Sequence, residues 1–272
     1  MRLALALLLA LAVPSAAEVV SWHGTRETFH VQGLTLTLSA QETRPVIAVR
    51  AKGETPFVFR GAEGFSPASA QFQVVRVDPR DPNPQILFAS NTGGAHCCAE
   101  FVLIEHVGTR WKAVELGPWD GDGLVRPETD VDGDGIVDLA FRDNRFLYAF
   151  DAYAWSWPPP LFLNVTGGRV VDVSRAPRYR AFFARDMAEA KKHCAGHANG
   201  ACAAYVADAA RVGRLDEAWT FMLASFRRDD NWDYPTRCKG RNRCKAPKDY
   251  PQALRWFLED HGYIERGKQW DR

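Results

Sequence analysis

The chain has 272 residues, of which 46 % are apolar and 12 % aromatic, enough for a sizeable core and too apolar for a disordered chain. Its 34 basic and 33 acidic side chains leave a formal net charge of +1, so overall charge singles out no partner class. The length suits one domain or two.

Met1-Arg2 precede an apolar run from Leu3 to Val13, and Pro14-Ser15-Ala16-Ala17 follow it. A positive start, a short apolar core and small residues at Ser15 and Ala17 predict a cleavable secretory signal over 1–17, too short to span a bilayer with its flanks. No later run reaches the length of a transmembrane helix, so no transmembrane segment is expected. The mature protein is expected to begin at Glu18 in the periplasm or outside a bacterial cell, where calcium is available and disulfides persist.

From 18 to 175 the pattern is β. Leu34 to Ser39 and Gln71 to Val77 alternate, while Val46 to Arg50 and Pro56 to Arg60 are short apolar runs. Turn clusters separate them: Lys52-Gly53-Glu54, Gly61 to Pro67 and the proline-rich Asp78 to Pro84. Short strands with no helical period between them predict an antiparallel system.

A weak internal repeat lays Val77-Asp78 through Ile86-Leu87-Phe88 on Val131-Asp132 through Leu139-Ala140-Phe141, about fifty-three residues later, with Gln85 opposite Asp138. Strand pairs are expected after each copy, Phe101 to His106 with Trp111 to Glu115, and Phe146 to Tyr153 with Leu161 to Val165. The period suits propeller blades, but the region holds about three where a ring needs at least four, so a truncated stack or an irregular sandwich is expected. The first copy lacks the glycines and most carboxylates and is not expected to bind metal.

Between the copies, Gly93-Gly94-Ala95-His96-Cys97-Cys98 admits a vicinal disulfide, buried or otherwise paired thiols, or a reactive nucleophile or soft-metal site formed by His96, Cys97 and Cys98. Trp119-Asp120-Gly121-Asp122-Gly123 is an acidic turn that either closes a hairpin or supports the loop downstream.

That loop is Thr129 to Phe141, T-D-V-D-G-D-G-I-V-D-L-A-F. Counted from Asp130, carboxylates fall at positions 1, 3, 5 and 9 (Asp130, Asp132, Asp134, Asp138), with Gly135 at position 6 for the sharp turn and the Ile136 carbonyl at position 7. Hard cations take six to eight oxygens, and four carboxylates within nine residues repel one another unless a cation lies between them. An EF-hand would place Glu at position 12, where this chain has Phe141 at the head of an apolar run, so the loop is expected to feed a strand. D-x-D-G-D-G-x-x-D-L resembles the calcium loop of FG-GAP or VCBS-type repeats of integrin-like propellers and secreted bacterial proteins. The resemblance covers about thirteen residues. It implies Ca2+ held by Asp130, Asp132, Asp134, the Ile136 carbonyl and Asp138.

From 176 to 272 the texture turns helical. Ala181 to His193, Ala201 to Val212, Leu215 to Arg228 and Pro251 to His261 are amphipathic, with Phe182, Phe183 and Met187 on one face, and Trp219, Met222, Leu223 and Phe226 on another. Tyr205 to Ala218 resembles a single tetratricopeptide-type helix pair, which implies only a helical hairpin. Cys194, Cys202, Cys238 and Cys244 form an even set for which three connectivities exist; local pairing would staple the region. A zinc site at His193, Cys194, His197 and Cys202 lacks C-x-x-C spacing.

The segment 237–248 carries six basic residues, Arg237, Lys239, Arg241, Arg243, Lys245 and Lys248, and no acid. It is either a solvated face or a site for an anionic polymer or protein ligand. Nucleic acid is not expected, since the patch is narrow and lacks interleaved aromatics. No G-x-S-x-G, H-E-x-x-H or Walker loop occurs. The expectation is an α+β chain, an antiparallel β region followed by a small disulfide-stapled helical region, acting as a calcium-binding module. An extracytoplasmic hydrolase or thiol enzyme near His96, Cys97 and Cys98 is the alternative.

Overall fold

A computed structural model describes residues 19–78, 81–94, 98–120, 130–131, 136–229, 231–238, 240 and 243–267, so the signal-like segment 1–17 lies outside it. Twelve strands come first: β1 (Val20–His23), β2 (Glu27–Val31), β3 (Leu34–Gln41), β4 (Arg44–Ala51), β5 (Phe57–Arg60), β6 (Ser69–Val75), β7 (Gln85–Asn91), β8 (Ala99–Val107), β9 (Arg110–Trp119), β10 (Leu139–Arg142), β11 (Pro160–Thr166) and β12 (Arg169–Asp172). They form three antiparallel sheets in the orders β2-β3-β4-β5, β1-β6-β7-β8-β9 and β10-β11-β12.

In β3, Leu34, Leu36 and Leu38 are buried while Thr35 and Thr37 are only half so, the mark of a sheet with one covered face. Gln32 and Gly33 join β2 to β3 with φ of 48° and 82°, the left-handed pair whose twist matches that of a two-residue hairpin. The middle sheet differs. Ile86, Phe88, Val102 and Ile104 face the leucines of β3, and Leu87, Ala89, Phe101 and Leu103 face away into a second core. That second core is completed by Leu139, Phe141, Leu161, Leu163 and Val165 of the third sheet. The outer face of the third sheet sends Ala140 and Phe162 against Tyr179 and Phe183, and Phe162 stacks on Tyr179 with ring centres 3.9 Å apart. Three sheets therefore stack face to face and end against helices.

The helical region comprises α1 (Arg180–Ala195), α2 (Asn199–Val212), α3 (Leu215–Ser225), the short pair β13 (Arg237–Cys238) and β14 (Cys244–Lys245), and α4 (Tyr250–Asp260). From Asn199 to Ala209, α2 is buried on every side, and its alanines let neighbouring elements approach closely. It ends at Gly213 with φ 80°. Helix α4 begins with Asp249, whose side chain accepts from the Gln252 N–H, followed by Pro251 in the first turn. Disulfides join Cys194 to Cys202 and Cys238 to Cys244, the local pairing among the three connectivities. The architecture is α+β, an antiparallel β region followed by disulfide-stapled helices.

Two expectations are corrected. Phe146 to Tyr153 is not a strand: 3-10 turns at Asn144–Phe146 and Tyr153–Trp155 replace it. The Asp143 carboxylate accepts from the Arg145 N–H and bends the chain, Tyr148 adopts φ 57°, and Phe146 and Phe150 drop into the helical core against Phe257. Leu223, expected on the buried face of α3, is 39 % exposed; that face is Leu215, Ala218, Trp219 and Met222.

A buried polar seam joins sheet to helices. Arg142 of β10 donates to Asp186 of α1 at 2.7 Å, and Asp208 of α2 lies beside Asp186, fully buried. Neither Asp208 oxygen nor the second oxygen of Asp186 has a hydrogen-bond partner among the described residues. Burial first, and the Asp186 charge second, push the Asp208 carboxyl well above the usual carboxylate range, against the opposing effect of Arg142 and Arg211.

Folding therefore takes up a proton at Asp208. The stability it allows is fullest below the unfolded-state pKa of about 3.9 and declines as pH rises toward the raised folded-state value. Asp208→Asn, whose amide can donate to Asp186, should melt above the parent at pH 7, and the gap should narrow toward pH 4; a gap that does not change with pH contradicts proton uptake at Asp208. Opening the eight-residue Cys194 to Cys202 loop with a double alanine variant should cost about 2 kcal/mol, read from the midpoint of urea unfolding.

Candidate functional site

Of the five expected calcium ligands, Asp130, Ile136 and Asp138 are described, while Asp132 and Asp134 lie outside the described residues. Asp130 is exposed, Ile136 sits at a bend, and the loop does feed a strand, β10. The Asp138 carboxylate spans two parts of the molecule. One oxygen accepts from the Val131 N–H at 2.9 Å, closing the loop on itself, and the other accepts from the Tyr179 hydroxyl at 2.6 Å, at the entrance to α1. Burial and this bond raise the Tyr179 pKa, so its hydroxyl stays a donor. Among the described residues no three His, Cys, Asp or Glu side chains gather as a metal site. The expected donor set is wholly oxygen, which suits a hard cation, and Ca2+ bound there would neutralise crowded carboxylates.

The first copy of the repeat closes its loop through the Gln85 side chain. Gln85, opposite Asp138, accepts with its side-chain oxygen from the Val77 N–H at 2.9 Å, as Asp138 does from Val131. Its amide nitrogen donates to the Asp81 carboxylate at 3.2 Å and the Asn83 carbonyl at 3.0 Å. Counted at the Gln85-to-Asp138 offset of fifty-three residues, these acceptors fall opposite Asp134 and Ile136. An amide N–H2 thus holds the acceptors that the resemblance assigns to calcium in the second copy. The loops also touch, through the Val137 N–H and the Arg76 carbonyl at 3.1 Å.

Cys98 is disulfide-bonded and has no free thiol. The Thr92 hydroxyl accepts from the Cys98 N–H at 2.9 Å, while the Thr92 N–H donates to the Cys98 carbonyl at 3.0 Å, so this end of the turn is locked to β7. His96 and Cys97 lie outside the described residues. Asp120 accepts from the Tyr153 hydroxyl, and that bond, with burial, pushes the Tyr153 pKa up to about 12.

The basic segment is not a purely solvated face. The Arg237 side chain is only 23 % exposed; it donates to Glu259 at 2.7 Å and to Asp260 at 2.9 Å, and its guanidinium lies 5.2 Å from the centre of the Trp256 ring. The acids absent from the loop come from α4. Arg243, Lys245 and Lys248 are exposed, whereas Lys239 and Arg241 lie outside the described residues. Behind the hairpin is a cavity of about 660 Å³ bordered by α3, β13 and α4. Its Trp219, Arg255 and Trp256 were visible in the sequence only as parts of amphipathic helices; the signal that could have found it is a tryptophan beside an arginine next to a cysteine-closed basic loop.

The family model of the sll0997 C-terminal domain matches residues 179–262, which begin at the Tyr179 that holds Asp138. The chain is 35 % identical over 236 residues to the "Probable thylakoid lumen protein sll0997" of Synechocystis sp. (strain ATCC 27184 / PCC 6803 / Kazusa), an alignment spanning 81 % of this chain and 68 % of that protein. It is 30 % identical over 274 positions to the "Uncharacterized protein y4bJ" of Sinorhizobium fredii (strain NBRC 101917 / NGR234), spanning 92 % of this chain and 43 % of that longer protein. No solved structure matches. The chain belongs to the family of the Synechocystis protein sll0997.

Proposed function

We propose that this chain is an extracytoplasmic binding or structural module whose β region is braced by calcium in an FG-GAP-like loop, with Asp130, Asp132, Asp134, the Ile136 carbonyl and Asp138 as ligands. The observation that carries the reading is the double anchorage of Asp138, to Val131 within the loop and to Tyr179 at the start of the helices. A cation drawing the loop together would tighten the junction between sheet and helices through this one carboxylate. The contrast with Gln85 adds to it, because a glutamine supplies its own donor to the acceptors and an aspartate cannot.

The address has separate support. The signal-like start, two disulfides among the described residues and a relative named for the thylakoid lumen all favour an extracytoplasmic compartment. No helix among the described residues is long and apolar enough to cross a membrane, which says nothing of a β-barrel. An anionic partner at 237–248 is part of the proposal, with Arg243, Lys245 and Lys248 as its exposed charges.

Extracellular calcium sites bind with dissociation constants of roughly 0.1 to 1 mM, so millimolar calcium should stabilise the protein by about 1 kcal/mol, or about 2 to 4 °C in melting temperature. Melting in calcium and in chelator measures this, and Asp134→Asn should shrink the difference. Equal melting temperatures, together with no bound calcium at millimolar concentration, would remove the metal from the reading.

A further inference from the structure

Another cavity, of about 400 Å³, lies where the end of α2, the start of α3 and the segment after α4 come together, and the calcium reading makes no use of it. That is room for a small ligand. Four charged side chains line it, the bases Arg175 and Arg211 and the acids Asp216 and Glu265, among apolar residues that include Leu215 and Ile264.

Arg211 is the unusual member. Its side chain is only 3 % exposed, yet its Nε has no hydrogen-bond partner among the described residues. The guanidinium lies 4.3 Å from the centre of the Tyr263 ring, and an oxygen of the exposed Asp172 stands 4.0 Å away, too far for a hydrogen bond. Asp208 also feels its charge, but burial pushes that carboxyl toward the neutral form. A guanidinium carries five donors, and leaving buried donors without acceptors is costly.

The acids are uncommitted as well. Among the described residues neither Asp216 nor Glu265 makes an ion pair with Arg175 or Arg211, although all four line one cavity. Opposite charges that border one space without touching leave room for a ligand between them. Both acids are exposed, and Asp216 stands in the first turn of α3, where the helix dipole favours a negative charge. The frame around them is tied: Arg175 donates to the Gly262 carbonyl, and the Tyr263 hydroxyl donates to Asp143 at 2.8 Å.

We propose that this cavity binds a small zwitterion with an aliphatic side chain, the chemistry of an amino acid or a dipeptide. Its carboxylate meets the Arg211 guanidinium, whose parallel donors match two carboxylate oxygens, and Arg175 adds a second positive charge. Its ammonium faces Asp216 and Glu265, and its side chain lies against Leu215 and Ile264. The proposal rests on the binding-module part of the reading above and does not depend on calcium.

Calorimetric titration with L-leucine, L-leucyl-L-leucine, 4-methylpentanoate and 3-methylbutylamine, each in calcium and in chelator, tests this. The first two keep both charges, and the last two keep one each. Leucine or its dipeptide should bind at one site about tenfold more tightly than either singly charged compound, in both conditions, and the tighter of the two identifies the source. Arg211→Gln should weaken the zwitterion and 4-methylpentanoate about tenfold. That buried change also disturbs packing, so exposed positions are read beside it: Asp216→Asn with Glu265→Gln should melt close to the parent and weaken the zwitterion about fivefold, while 4-methylpentanoate binds no more weakly. Absence of binding by both zwitterions at millimolar concentration overturns the proposal. Binding of 4-methylpentanoate as tight as leucine overturns the acid half, equally tight 3-methylbutylamine overturns the arginine half, and unchanged zwitterion affinity in the exposed double variant overturns the location. A calcium shift in melting without zwitterion binding removes the cavity proposal alone, and zwitterion binding without a calcium shift removes the metal alone.

Discussion

A sheet that is hydrophobic on both faces cannot stand at a surface, and β7 and β8 put Ile86 and Ile104 on one side and Leu87 and Leu103 on the other. Each face needs a cover. The β2 to β5 sheet supplies one through Leu36, Leu38 and Ile47, and the three-stranded sheet supplies the second through Phe141, Leu161 and Leu163. That third sheet then has an apolar face of its own at Phe162, which the start of the helices covers with Tyr179 and Phe183. The order of layers thus follows from successive needs for burial, and each buried side chain of this size contributes roughly 1.5 to 3 kcal/mol.

Where the last sheet meets the helices, polar contacts set the register that non-directional burial leaves open. Arg142 reaches Asp186, while the adjacent Asp143 accepts from the Tyr263 hydroxyl at 2.8 Å and from the Arg145 side chain. Arg211 lies over the Tyr263 ring, its guanidinium 4.3 Å from the ring centre. Buried ion pairs add little net stability against their desolvation, but losing one partner is costly, so misplaced packings are disfavoured. Asp208, whose carboxyl burial holds well above the usual range, adds a pH-dependent element to the same seam.

On the proposed reading, the two loops of the repeat solve one electrostatic problem in two ways. Acceptors pointed into a tight loop need a positive or donor group at the centre. In the first copy that group is the Gln85 amide, attached to the chain and independent of solution conditions. In the second copy, on the proposed reading, it is an exchangeable cation, and the loop's order becomes sensitive to calcium while its Asp138 is tied to Tyr179.

Much of this was legible in the residues. Alternation marked β3 and β6, the short apolar runs marked β4 and β5, helical spacing marked the four helices of the described residues within a few residues of their ends, and cysteine count and address pointed to bridges. These are local signals, carried by neighbours in the chain. Phe146 to Tyr153 misled for the same reason: its aromatic content fits a strand, and only the Asp143 bend and the pocket offered by Phe257 turn it into the helical core. The carboxyl pair of Asp186 and Asp208, the Arg237 bridges to Glu259 and Asp260, and the cavity between Trp219 and Trp256 join residues far apart in sequence. Sequence by itself determined which segments could become strands, helices and a cation loop, because backbone preference and side-chain period act over a few residues. Which faces met, which charges were shared and where a cavity remained was decided only by tertiary packing, because those depend on distances that the order of residues does not contain.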